Sequence, residues 1–248
     1  MTGQLRAEFL KLRTTQVWFW LLLASVAVSV LAAVAGLASD DVRKPHGVAT
    51  MFANANGGLA VAFVLGILGI TTEFRYQTFT PTVLGTPSRW AIVSAKLITY
   101  ALAGVGYAAI GIAVQLAIAA PWLSSKGIDL DLGGEVGRVI IGLVAVFGLF
   151  AVMGVGIGAL LRNQILAMSL GLVFLLLINN LIGAIPGVWH AFPYTPEGAM
   201  LSILYPGSNN GPDGVDQLST AGGVGVLVLW ALIPAALGAA ISLKRDIT

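Results

Sequence analysis

The chain carries few groups that could do chemistry. Of its 248 residues, 13 are Lys or Arg, 11 are Asp or Glu, two are His and none is Cys. A long polar stretch runs from Thr71 to Lys96, TTEFRYQTFTPTVLGTPSRWAIVSAK, between two long apolar runs. It holds Glu73, Arg75, Thr78, Thr86, Pro87, Arg89 and Lys96. No catalytic set can be built from these residues. Without cysteine there is neither a disulfide nor a thiolate metal site. His46 and His190 lie far apart in loops, so no zinc ligand pair is in prospect. No G-x-x-x-x-G-K-[ST] occurs, so the chain does not bind ATP through a phosphate loop. The apolar runs contain serines but no base to activate one. The expectation is a protein that is not itself an enzyme. Its charged loop would serve electrostatic and mechanical ends, as a place where a soluble partner pushes.

Composition dictates what must hold that loop. The chain is 57% hydrophobic and only 10% charged, where soluble domains carry about 25% charged residues. Such a chain cannot cover a water-facing surface, so a single all-α membrane domain over residues 1–248 is expected. A net charge of +2 gives no footing for nucleic acid. Val17 to Ala38 is free of charge and, as a helix, would extend roughly 33 Å, enough to cross a bilayer. Further spans are expected over 51–72, 91–123, 139–161, 165–185 and 221–243. Residues 1–15 place Leu5, Phe9 and Leu12 at helical spacing among Arg6, Lys11 and Arg13, which suits an amphipathic helix at the headgroups. The competing reading is a signal peptide cleaved near Ala33-Val34-Ala35; the apolar run exceeds the usual signal core, which favours a retained span. Pro81 and Pro87 bracket a brief helix or turn along the membrane surface, and Lys96 is expected to snorkel at the start of the third span. Arg162-Asn163-Gln164 is a tight turn between spans four and five. In the loop after span five, Thr195 and Pro196 read as the cap and first residue of a short helix running to Tyr205, lying on the bilayer or dipping into it.

Six spans put both termini on one side. That side collects nine of the thirteen basic residues, Arg6, Lys11, Arg13, Arg75, Arg89, Lys96, Arg162, Lys244 and Arg245; the other has Arg43, Lys44, Lys126 and Arg138. The positive-inside rule then places the termini and the polar stretch in the cytoplasm. No span shows an interior charge, which argues against a proton-driven transporter. Asn54 and Asn56 stand at the start of the second span, and Asn179 and Asn180 near the far end of the fifth. Asn179 and Asn180 serve either interhelical hydrogen bonding or polar contact along a pathway. Gly154 and Gly158 have the G-x-x-x-G spacing of close helix packing.

The polar stretch resembles the signature of bacterial type-2 ABC exporter permeases. In that family the second span leads into E-x-R-x-x-T, then T-P-x-R, then a lysine opening the third span. Here these are Glu73, Arg75, Thr78, Thr86-Pro87, Arg89 and Lys96. The opening AEFLKLRTT, with Glu8 three residues before Lys11, is similar to that family's amphipathic start, and Tyr194-Thr195-Pro196 to its external proline-led helix. At Gln77 the family often has glycine. The resemblance implies a coupling helix between spans two and three and a multi-pass protein of the bacterial cytoplasmic membrane. It implies two separate cytoplasmic ATPase subunits that bind ATP and Mg, with no cofactor in this chain. It also implies a second permease copy or homologue around a pathway lined by spans two and five. Asn54, Asn56, Asn179 and Asn180 would then be pathway contacts, and the exported substrate would be apolar or amphipathic. The alternative is a membrane scaffold or sensor that docks an ATPase without transporting.

Overall fold

A computed structural model describes residues 2–77, 89–206, 212 and 215–244. It is all-helical, and six of its helical stretches are long and apolar enough to cross a membrane. Helix α1 (Thr2–Thr14) precedes α2 (Val17–Ala38), the first span. The second span is broken: α3 (Gly47–Ala53) passes through a 3-10 turn at Asn54–Gly57 into α4 (Gly58–Arg75). Asn and Gly are weak helix formers, and they fall at the break. It therefore begins before Met51 and is not one continuous rod. The long α5 (Arg89–Ser125) and α6 (Glu135–Leu161) are spans three and four. Span five is composite, with α7 (Gln164–Val173), a π-helical stretch at Phe174–Ile178 and α8 (Asn179–Ala184). After the short α9 (Pro196–Leu204), α10 (Thr220–Lys244) is the sixth span.

Helix α6 is the hub, packing against α4, α5 and α10. Lipid tails are as apolar as leucine, so hydrophobicity alone does not draw such helices together; close contact does. A Cβ on Gly154 would fall well inside the carbonyl oxygen of Phe63, and one on Gly66 inside that of Ala151. Gly158 meets Ile70 and Thr71 in the same way. The pairs Gly58–Phe147, Phe63–Gly154 and Ile70–Gly158 advance together along both chains, so α4 and α6 run parallel, with backbone against backbone at Gly66 and Gly154. Gly156 against Ala235 and Gly238 against Ala159 do the same for α6 and α10. Helix α2 is joined at three levels to α5 and the residue just after it. Tyr107 Oη donates to the carbonyl of Trp18, Gln115 Nε2 to that of Ser29 and Lys126 Nζ to that of Leu37. They also run parallel, opposite to α4.

The turn between spans four and five follows from two residues. Arg162 takes the left-handed conformation (φ 52°) that ends α6, and its N–H reaches the Gly158 carbonyl. Asn163 then caps α7, its Oδ1 accepting from Leu166 N at 3.1 Å. The cap expected at Thr195 is present, with Oγ1 accepting from Gly198 N at 3.1 Å. Helix α9 differs from its expected setting. Ala199, Met200, Ile203 and Leu204 are buried against α10 and α6. Its apolar stripe faces protein, because the loop folds back over the helix ends.

Replacing Gly154 with Val should separate α4 from α6 and cost on the order of 1–3 kcal/mol. Gly225→Ala in α10, where an added Cβ meets nothing within 4 Å, should be neutral or stabilising. Thermal unfolding in detergent would show the contrast, and equal effects at the two sites would refute the backbone contact.

Candidate functional site

At the end of the bundle where α1, the last turn of α4 and the second turn of α5 meet, four charged side chains form one cluster. Lys96 Nζ lies 2.6 Å from Glu8 Oε2 and 3.0 Å from Glu73 Oε1. Lys11 Nζ lies 2.9 Å from Glu8 Oε1 and 2.8 Å from that same Glu73 oxygen. Lys96 Nζ also donates to the Gly69 carbonyl at 3.1 Å. Two cations and two anions give no net charge, and every member bridges to another helix. Glu8, Glu73 and Lys96 are 4%, 6% and 2% exposed, whereas the Lys11 side chain is 44% exposed. Lys96 therefore does not snorkel, and charge does occur within the spanning helices, in the last turn of α4 and about two turns into α5. The sequence shows only that Lys96 is near a helix end; whether α1 covers it depends on tertiary packing. Behind the cluster the Tyr100 ring lies against Gly69, where any side chain would collide with it, and Lys96 Nζ is 5.8 Å from its centroid.

Helix α1 docks through a polar face. Glu8 is buried and Leu5 and Leu12 are half-buried, while Phe9 and Leu10 point outward. The expected apolar stripe of Leu5, Phe9 and Leu12 is thus divided between two faces, because the ion cluster sets the rotation of the helix.

The rest of the predicted set divides. Arg75 is exposed at the end of α4, and its Nη1 donates to Gln164 Oε1 at 3.4 Å, linking spans two and five. Gln77 has φ 55°, a left-handed position just beyond the helix that favours glycine. Thr78, Thr86 and Pro87, and with them the expected coupling helix, lie outside the described residues. Arg89 opens α5, but its side chain, like that of Asn56, is not among those described.

The asparagines do not form a common site in the described contacts. Asn54 Oδ1 accepts from Tyr205 Oη at 2.7 Å. Burial pushes the Tyr205 hydroxyl up to about 12. Asn179 is fully buried and donates to the Leu175 carbonyl of its own helix, and its Oδ1 has no partner among the described residues. Asn180 is exposed and donates to Leu176 O. Asn179 directly follows the π-helical stretch; such stretches are frequent at functional sites. Sequence reading missed Gln115, which is fully buried in mid-span and donates to the Ser29 carbonyl on α2. A lone Gln in an apolar run was the available signal.

Fold and site together define a multi-pass α-helical membrane protein whose N-terminal helix is fastened to two spans by buried charge. Compared with protein-family models and with curated proteins, the chain finds no match.

Two predictions test the cluster. Breaking a buried ion pair costs about 3–5 kcal/mol because one charge is left uncompensated. Lys96→Met should therefore lower the unfolding temperature strongly. Adding Glu8→Gln restores neutrality, so the double variant should be less destabilised than the single effects summed; additivity would show that the charges act independently.

The second prediction concerns pH. Burial pushes the Glu8 carboxyl up, but Lys96 and Lys11 outweigh it and hold the group below its usual 4.5. Burial pushes the Lys11 ammonium down, but Glu73 and Glu8 outweigh it and hold the group above its usual 10.5. A depressed carboxyl stabilises the docked helix above pH 4.5 and loses that contribution as pH falls through its folded value. A raised ammonium stabilises below pH 10.5 and loses its contribution as pH rises through its folded value. Hydrogen exchange, corrected for intrinsic rates, should show α1 losing protection outside this window before α6 does. Simultaneous loss in both helices would count against a separately held α1.

Proposed function

We propose that this chain is the membrane-spanning permease subunit of an ATP-driven exporter of the type-2 ABC kind. It would work beside a second permease copy or homologue above two cytoplasmic ATPase subunits, which bind ATP and Mg. The observation that carries this reading is the Glu8–Lys11–Glu73–Lys96 cluster. It ties both stems of the loop between α4 and α5 to α1. A body with no phosphate loop of its own needs force from outside, and this loop is the site where force would enter. The cluster would make the two stems and α1 move as one block, and α4, in backbone contact with α6, would pass the motion into the bundle. The left-handed backbone at Gln77 adds support, since the related pattern often has glycine there.

The mechanism is alternating access. Nucleotide-driven closure of the ATPases displaces the loop, the block rocks, and the spans rearrange around a pathway bordered by spans two and five. The substrate class is apolar or amphipathic. Asn54, Asn56, Asn179 and Asn180 offer dipoles and no fixed charge. Both termini and the loop face the cytoplasm in this reading, on the basic side of the bilayer.

Co-reconstitution with the cognate ATPase in liposomes tests the proposal. The chain should stimulate ATP hydrolysis, and substrate should cross only when ATP is supplied. Arg89→Ala should reduce the stimulation severalfold while membrane insertion is unchanged. Unaltered hydrolysis in that variant would remove the loop from the docking role, and ATPase binding without substrate movement would favour the scaffold.

A further inference from the structure

Helix α1 is held by one face, and its opposite face is uncovered. Arg6, Phe9, Leu10 and Arg13 stand at positions i, i+3, i+4 and i+7, which is a single helical stripe. All four are exposed, Phe9 by 53% and Leu10 by 61%. Glu8 and Lys11, on the other side of the helix, fix its rotation through the buried cluster, so the stripe cannot roll inward. Among the described residues neither guanidinium has an ion pair or a hydrogen bond.

The position of the stripe selects its surroundings. Only Thr15 and Gln16 separate α1 from the first span, whose opening residues Val17, Phe19 and Trp20 are themselves 48%, 46% and 65% exposed. Aromatic rings at the end of a span favour the membrane interface. Facing water, the stripe would expose two large apolar side chains; facing hydrocarbon, it would desolvate two cations. A headgroup layer satisfies both requirements, with the arginines reaching phosphate and the rings and branches entering the top of the acyl region. The stripe itself carries two positive charges and no acid.

We propose that the outer face of α1 is a binding surface for anionic phospholipid, with Arg6 and Arg13 holding headgroup phosphates on either side of an apolar wedge made by Phe9 and Leu10. The arginines are seven residues apart, roughly 10 Å along the axis, so the surface spans more than one lipid. Attraction to an anionic leaflet is worth about fivefold per basic residue and roughly thirtyfold for the pair.

The absence of cysteine gives a clean test. Ala7→Cys, at an exposed position on α1, introduces a unique attachment point for a fluorophore. The full chain is placed in phosphatidylcholine nanodiscs containing a nitroxide-bearing lipid at one fixed mole fraction, either phosphatidylglycerol or phosphatidylcholine. The phosphatidylglycerol quencher should quench severalfold more, and added salt should shrink the difference. Arg6→Gln with Arg13→Gln, both exposed positions, should abolish the preference while leaving general quenching. The ratio of the two quenchers is independent of how much protein folds. Equal quenching in the unsubstituted arginine background would overturn the proposal. So would a preference that survives loss of both arginines. Quenching by neither lipid would show the face covered by protein or water and overturn it as well. None of these readings involves an ATPase, so the outcome is separate from that of the exporter proposal.

Discussion

A buried lysine needs compensation, and the structure depends on how Lys96 receives it. Two carboxylates from two different helices share its ammonium, and a second lysine restores neutrality. Removing Lys96 leaves two buried carboxylates with only the half-exposed Lys11 to balance them. The cluster therefore ties α1, α4 and α5 together. It also holds the stems of the intervening loop at a fixed separation. Whatever displaces that loop acts on a three-helix unit.

The remainder of the bundle is held by a different principle. Around α6, contact is made by missing side chains: Gly66, Gly154, Gly156 and Gly238 allow backbones to touch. Dispersion over a close approach replaces the hydrophobic drive that lipid does not supply. The exterior follows from the same solvent. Ile165, Leu170, Leu176 and Leu181 along the fifth span are all exposed, and outward leucine is compatible with hydrocarbon. Rigid contact in the centre and charge at one end divide the molecule into a packed core and a linked collar.

The helices were legible because each span is a long apolar run almost free of charge, and the tight turn at Arg162 and the cap at Thr195 were legible because local residues set them. The break at Asn54–Gly57 was half visible, as polar and glycine residues at the head of a span. The π-helical stretch at Phe174–Ile178 was not visible, since FLLLI reads equally well as ordinary helix. Among the site residues, Glu73 and Lys96 could be singled out as charges next to apolar runs. Their mutual contact, and the part played by Glu8, could not.

Sequence by itself determined the solvent of this protein, the number of its crossings and the concentration of basic charge on one set of loops. These depend on composition and on runs of neighbours, which a chain carries before it folds. Only the tertiary structure decided that Glu8 meets Lys96 across 88 positions, that α1 turns Phe9 and Leu10 outward, and that α9 is covered by α10 and α6. Those outcomes depend on which helix faces meet. Helical periodicity cannot state that, because a polar side chain reads the same whether water or an opposite charge awaits it.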